Sequence, residues 1–240
     1  MQLVFDFPVT PRFNFDNFVV CQGNETAFRF ARRLFNPDER DNLLYIYGPP
    51  GSGKTHLLRA LAQTLPGANA QATPSLSFSD EEVICSSIKP EVEGLSLSEI
   101  FRDAAALLID DLHLVPEDRN IHVQLWQLFN DFFQQNRPIV ITGRYPPKEL
   151  NNLDEHLISR LLWGLVARMD VSDDTSRRMI MQKLATDRQI LLPDEVVDYL
   201  LKHVRRDIPT LVDTLDRIVH HSLVTGRKVT LRLVGEAISV

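Results

Sequence analysis

The sequence predicts an α/β fold, a mostly parallel sheet flanked by helices, followed by a small all-helical domain. Three observations predict it. A short apolar strand pattern over 43–47 runs straight into a glycine-rich turn and a helical pattern over 54–65. Apolar strand patterns over 43–47, 105–109 and 138–142 alternate with helical ones over 26–35, 54–65, 123–135 and 153–163, as expected for a parallel sheet covered on both faces. After Met169 the texture changes, and no further convincing strand pattern follows.

Taken in order, residues 1–12 read as a flexible arm punctuated by Pro8 and Pro11, and 13–170 as the α/β domain. Within it, residues 67–93 are broken by Ser, Pro and Asn, and one weak strand is expected there. Residues 171–240 read as the helical domain. Ser172 or Asp173 can cap a helix running to about Arg188. Pro193 suits the start of a second helix, because its missing N–H costs nothing in a first turn. A third helix spans 210–224 and stops at Gly226, and Thr230 can cap a short last one.

Composition narrows the function classes. Of 240 residues, 44% are hydrophobic and 24% charged, so the chain can bury a sizeable core. Net charge is −6, which gives no global basic field for duplex DNA, and no strong duplex binding is expected. Lys202, Arg205, Arg206, Arg217, Arg227, Lys228 and Arg232 gather near the end, where a solvated helix face explains them as well as a DNA site does. There is no apolar run long enough for a bilayer and no leader-like basic-then-apolar start, so a cytoplasmic protein without a membrane partner is expected. Cys21 and Cys85 are isolated, which suits a reducing compartment and opposes zinc or a disulfide framework.

The glycine-rich turn is Gly48-Pro49-Pro50-Gly51-Ser52-Gly53-Lys54-Thr55, and it fits the phosphate-binding pattern G-x-x-x-x-G-K-[ST]. Glycines let backbone N–H groups close around phosphate oxygens, and the following helix start adds its positive dipole end. Lys54 is expected to reach the outer phosphates of ADP or ATP, Thr55 to hold Mg²⁺ through its hydroxyl, and the Thr55 and His56 amides to lie near the α-phosphate. Such a loop needs an acidic partner. Ala105-Ala106-Leu107-Leu108-Ile109-Asp110-Asp111 supplies an apolar strand ending in two carboxylates. Set beside the loop strand, Asp110 can hold Mg²⁺ through water and Asp111 can polarise an attacking water. A third strand ends in Thr142-Gly143-Arg144, where Thr142 or Arg144 can sense the γ-phosphate or simply end a strand.

These blocks together resemble the AAA+ core of the bacterial DnaA family of replication initiators. Asn14-Phe15-Asp16-Asn17-Phe18-Val19-Val20, with Asn24, Glu25 and Ala27, is similar to the family's segment ahead of the loop. The resemblance implies that Val19 and Val20 lie against the adenine. Residues 107–112 resemble its acidic strand. Ile141-Thr142, Pro146-Pro147-Lys148-Glu149-Leu150 and Ser159-Arg160-Leu161-Leu162-Trp163-Gly164-Leu165 resemble its later boxes. Residues 13–225 are mostly covered. With only a short arm ahead of the core, and no room seen for the initiators' flanking domains, the chain resembles the regulatory Hda branch.

That branch implies a function. Gln2-Leu3-Val4-Phe5-Asp6-Phe7 looks like a peptide that docks on the sliding clamp, with Gln2, Leu3, Phe5 and Phe7 as anchors. By resemblance, Arg160 projects in trans toward the nucleotide of a DnaA-type initiator and acts there as an arginine finger. Two departures bear on the chain's own hydrolysis, which is expected to be weak. Arg144 stands where the family usually has an acidic residue, and Pro209 stands where its helical lid offers an Arg, with Arg205 and Arg206 one turn earlier. The expected function is therefore a nucleotide-binding regulator of replication initiation, with self-association left open. The alternative is an autonomous AAA+ ATPase such as a helicase loader or transposition helper.

Overall fold

The computed structural model describes residues 13–34, 41–65, 75–78, 83–86 and 96–238. The arm, with Gln2, Leu3, Phe5 and Phe7, lies outside them. The chain divides into two compact units, Asn24–Asp170 and a second one that joins residues up to Gly23 with Val171–Val240. The segment 13–23, expected to open the α/β domain, thus groups with the helical unit. Its described residues form bends and turns and contribute no strand to the sheet.

The sheet of the larger unit is built from β1 (Leu43–Tyr47), β2 (Ser75–Phe78), β3 (Val83–Ser86), β4 (Leu107–Asp110), β5 (Ile139–Gly143) and β6 (Leu165–Arg168). Their order across the sheet is β3-β2-β4-β5-β1-β6. Among the described residues, only the β2–β3 edge pair is antiparallel. Central strands are apolar on both faces, as a parallel sheet covered twice requires, and every residue of β5 is buried. In register, Tyr45 lies opposite Ile141 on one side and Val166 on the other.

Three expectations need correction here. The acidic strand was expected beside β1, but β5 lies between them, because β4 pairs with β5 and β2. The 67–93 stretch contributes two strands, a hairpin, instead of one. β6 was not expected at all. Its four residues follow Gly164 directly after a helix, too short a run to show period, and they become a strand by pairing with β1.

The covering helices are α1 (Glu25–Arg33), α2 (Lys54–Thr64), α3 (Leu97–Ile100), α4 (Arg119–Gln134) and α5 (Glu155–Leu161). The short α3, unseen in the sequence, is fixed by a capping box in which Ser96 and Glu99 satisfy each other's backbone N–H. Asp118 caps α4 by accepting from the Asn120 and Ile121 amides. Leu125, Leu128, Phe129 and Phe132 of α4 pack with Leu107, Ile109, Ile139 and Ile141 in one buried cluster.

Among its described residues the smaller unit carries helices after 171, as expected. Asp173 caps α6 (Asp174–Asp187), Pro193 precedes α7 (Asp194–His203), Asp207 caps α8 (Ile208–Thr225), and α9 is Leu231–Ile238. Gly226 ends α8, and the Thr230 hydroxyl accepts from the Leu233 amide. Met181, Val197, Leu200, Leu215, Ile218 and Leu233 form its own buried core. No helix among the described residues is long and apolar enough to cross a membrane.

Candidate functional site: a phosphate loop with an acidic pair

The loop leaves the sheet between the ends of two strands. The Gly48 N–H donates to the Gly143 carbonyl of β5 (3.3 Å), and the Met169 N–H, just past β6, donates to the Tyr47 carbonyl (2.7 Å). A side chain at Gly48 has no room, since a Cβ there would stand 1.9 Å from the Met169 oxygen. Further on, Gly51 and Gly53 take φ of 76° and 95°, a region costly for any residue with a Cβ. This backbone curls Pro49 to Gly53 around the N-terminus of α2, where first-turn N–H groups and the dipole favour an anion.

Two side chains inside the loop test the fit to phosphate. Lys54 is only 7% exposed, and its ammonium donates to the Gly48 carbonyl (2.9 Å) and the Pro49 carbonyl (3.0 Å). Burial lowers its pKa most, Arg144 adds to that, and Asp111 and Asp110 pull the other way. Ser52 is buried, and its Oγ has no hydrogen-bond partner among the described residues. A buried hydroxyl without a partner costs free energy that an anion in the loop would recover. Thr55 and His56, both half-buried, open α2. A nucleoside di- or triphosphate therefore suits this donor set.

The acidic pair adjoins it electrostatically. Thr142 is fully buried on β5, the strand between β1 and β4. Its hydroxyl donates to Asp110 Oδ1 (2.5 Å) and accepts from the Asp111 N–H (2.9 Å). One side chain thus fixes both acidic residues. Asp111 sits at φ 52°, ψ 47°, a left-handed conformation unfavourable for a residue with a Cβ. Burial pushes its carboxyl pKa up, and Asp110 adds to this, while His113 and Lys54 oppose it. The His113 ring, Nδ1 3.9 Å from Asp111 Oδ1, is pushed down chiefly by burial. Asp110 can offer oxygen to a hard divalent cation, and Asp111, 39% exposed, can accept a proton from water.

Val19 and Val20 belong to the smaller unit, Val19 half-buried and Val20 exposed. Pro209 lies in the first turn of α8 in that unit, where Arg205 pairs with Asp207 (3.2 Å) and Arg206 with Asp174 (3.4 Å). Arg144 is exposed, its guanidinium carbon 5.7 Å from the Tyr145 ring centre. Arg160, on α5, has no ion pair among the described residues, and Asp154, an obvious candidate, lies 3.9 Å from His122 instead. Its guanidinium carbon is 5.2 Å from the Trp126 ring centre and 5.3 Å from that of Trp163. Trp126 was missed from the sequence, since nothing in α4 signals a partner more than thirty residues away.

With this geometry in view, comparisons with known proteins agree among themselves. A family model described as the bacterial DnaA ATPase domain matches residues 9–168, and one described as the Hda lid domain matches 174–238. The chromosomal replication initiator protein DnaA of Wolbachia sp. subsp. Brugia malayi is 30% identical over 236 residues, 96% of this chain and 51% of that protein. The chain spans about half the length of the curated relatives it matches. Domain III of the Thermotoga maritima DnaA superimposes with TM-score 0.78 at 26% identity, covering 97% of this chain and 98% of that one. AMPPCP-bound DnaA from Aquifex aeolicus shares the fold at TM-score 0.70 and 23% identity, over 88% of this chain and 66% of that one.

Proposed function

We propose, from the premise that this chain belongs to the bacterial DnaA ATPase family and carries an Hda-type lid, that it is a nucleotide-binding regulator of chromosomal replication initiation. The loop Gly48–Thr55 holds ADP or ATP: Lys54 and the Gly51, Ser52, Gly53, Thr55 and His56 amides face the phosphates, and Val19 and Val20 face the base. Thr55 and Asp110 hold Mg²⁺, which when bound supplies charge neutralisation between the phosphates. Arg160 serves a different nucleotide, the ATP of a DnaA-type initiator, whose hydrolysis it promotes. The clamp-binding anchors Gln2, Leu3, Phe5 and Phe7 tether the protein where loaded clamp and initiator meet, in the cytoplasm.

One observation carries this reading. Arg160 is the cation of the family's Ser-Arg-x-x-Trp-Gly box, and it is held by ring faces without a neutralising carboxylate among the described residues. A planar, permanently charged fork in that state suits charge developing on another molecule's phosphate. Initiator loaded with labelled ATP, mixed with clamp on DNA, tests it. The parent protein should accelerate hydrolysis, and Arg160→Ala should not. Equal stimulation by both would remove Arg160 from the role. Unchanged association of a Gln2→Ala/Phe5→Ala protein with loaded clamp would remove the tether.

A second reading draws support from the Thr142 bridge, which keeps Asp110 and Asp111 ordered as hydrolysis requires. An autonomous ATPase would then turn over ATP alone and lose that turnover on Asp111→Asn. The regulator reading expects slow turnover at most.

A further inference from the structure

Arg160 is seated between two indoles drawn from different parts of the larger unit. Trp126 projects from the middle of α4, and Trp163 from the turn between α5 and β6. Both remain well exposed, at 40% and 61%, whereas Phe129 and Phe132 of α4 are buried. The Trp163 ring is braced in turn by Phe133, with ring centres 5.4 Å apart. The one hydrogen bond described for the guanidinium is weak, Nη1 to the His156 carbonyl at 3.4 Å.

We infer that Trp126 and Trp163 are positioning residues for Arg160: they hold the guanidinium by its faces, so that its N–H edges stay available to an anion on a partner molecule. This deepens the proposed function and rests on it. A carboxylate clamp would hold the side chain equally well, but it would occupy the donors and cancel the charge. A ring face does neither, because it attracts the cation through its quadrupole and accepts none of the in-plane hydrogen bonds. The two indoles also lower the number of rotamers that Arg160 must give up when it engages, which belongs to the cost of any contact made by a long side chain.

The chain has two tryptophans, and both belong to this cluster, so its tryptophan fluorescence reports on Arg160 directly. Arg160→Ala should shift the emission and raise acrylamide quenching in the protein alone, with unchanged far-ultraviolet circular dichroism. An emission and quenching profile identical to the parent's would overturn the inference. The second arm is kinetic and uses initiator-bound ATP with DNA-loaded clamp. Trp126→Ala and Trp163→Ala should each lower the maximal stimulated rate about two- to fivefold, the range of an exposed cation–π contact. The half-saturating concentration should stay near the parent's, and Trp→Phe should restore most of the rate. Full activity of the Ala variants beside a dead Arg160→Ala would overturn the positioning role and leave the finger intact. Loss in Phe and Ala variants alike would mean that the indoles act through shape, and would also overturn it. Full activity of Arg160→Ala would instead sink the proposed function.

Discussion

The phosphate loop and the α4–α5 face each carry one cation of the proposed function, and they hold it in opposite ways. Lys54 is buried, bonded to two carbonyls of its own loop, and near two carboxylates. Arg160 is half-exposed, flanked by two rings, and has no carboxylate partner among the described residues. In the proposed function the difference follows from what each would meet. A ligand in the loop would meet a lysine already solvated by backbone carbonyls. A cation that acts on a separate molecule must keep its charge and its donors uncommitted until contact.

Substitutions can break that comparison in order of size. Arg160→Lys keeps the charge but loses the planar fork and its ring packing. It should lose most of an effect that in other arginine-finger systems is worth about 10³–10⁵ in rate. Single-turnover hydrolysis of initiator-bound ATP measures it, and a rate near the parent's would make Arg160 a mere point charge. Next comes Gly48→Ala, which drives a methyl group into the Met169 carbonyl. Destabilisation of about 3 kcal/mol, the upper part of the range for overpacking, is expected in urea unfolding, together with weakened nucleotide affinity. An unaffected protein would mean that the loop is looser than its contacts indicate.

Thr142→Val is smaller. It removes the donor to Asp110 and the acceptor for the Asp111 N–H at constant shape. A loss of about 1–2 kcal/mol is expected, since water can reach part of the exposed pair. The effect should fall on the loop side of the comparison alone, leaving stimulation by Arg160 in place. Smallest is Asp207→Ala in the helical unit, which carries neither cation. Asp207 accepts from the Thr210 hydroxyl (2.6 Å) and amide (3.0 Å), which hold its carboxyl below the usual range. A depressed carboxyl stabilises fully above its unfolded pKa of about 4, and the benefit disappears as pH falls through the lower folded value. The variant should therefore melt slightly lower than the parent at pH 7 and match it in strong acid. A difference that persists there would deny the cap its charge.

The same two regions show what could be read from the chain alone. The loop is contiguous, so its glycines, Lys54 and Thr55 were legible together, and the structure adds only the cramped Gly48 and the orphaned Ser52 hydroxyl. The acidic residues were legible by type but not by neighbour. Which strand lies beside which is set by crossovers, so the interposed β5, and with it the Thr142 bridge, could not be read from spacing. Arg160 was legible through its box, whereas its seat was not. Trp126 meets it across 34 positions, by tertiary packing of α4 on the sheet. β6 escaped for a related reason, as four residues become a strand only through a partner.

Whether the two cations serve different nucleotides is open to one direct measurement. Calorimetric titration of the isolated protein with ADP and with ATP, in magnesium, should give the same affinity for the parent and for Arg160→Ala, and no detectable binding for Lys54→Ala. Affinity lost on Arg160→Ala, or retained on Lys54→Ala, would contradict the division of labour between them.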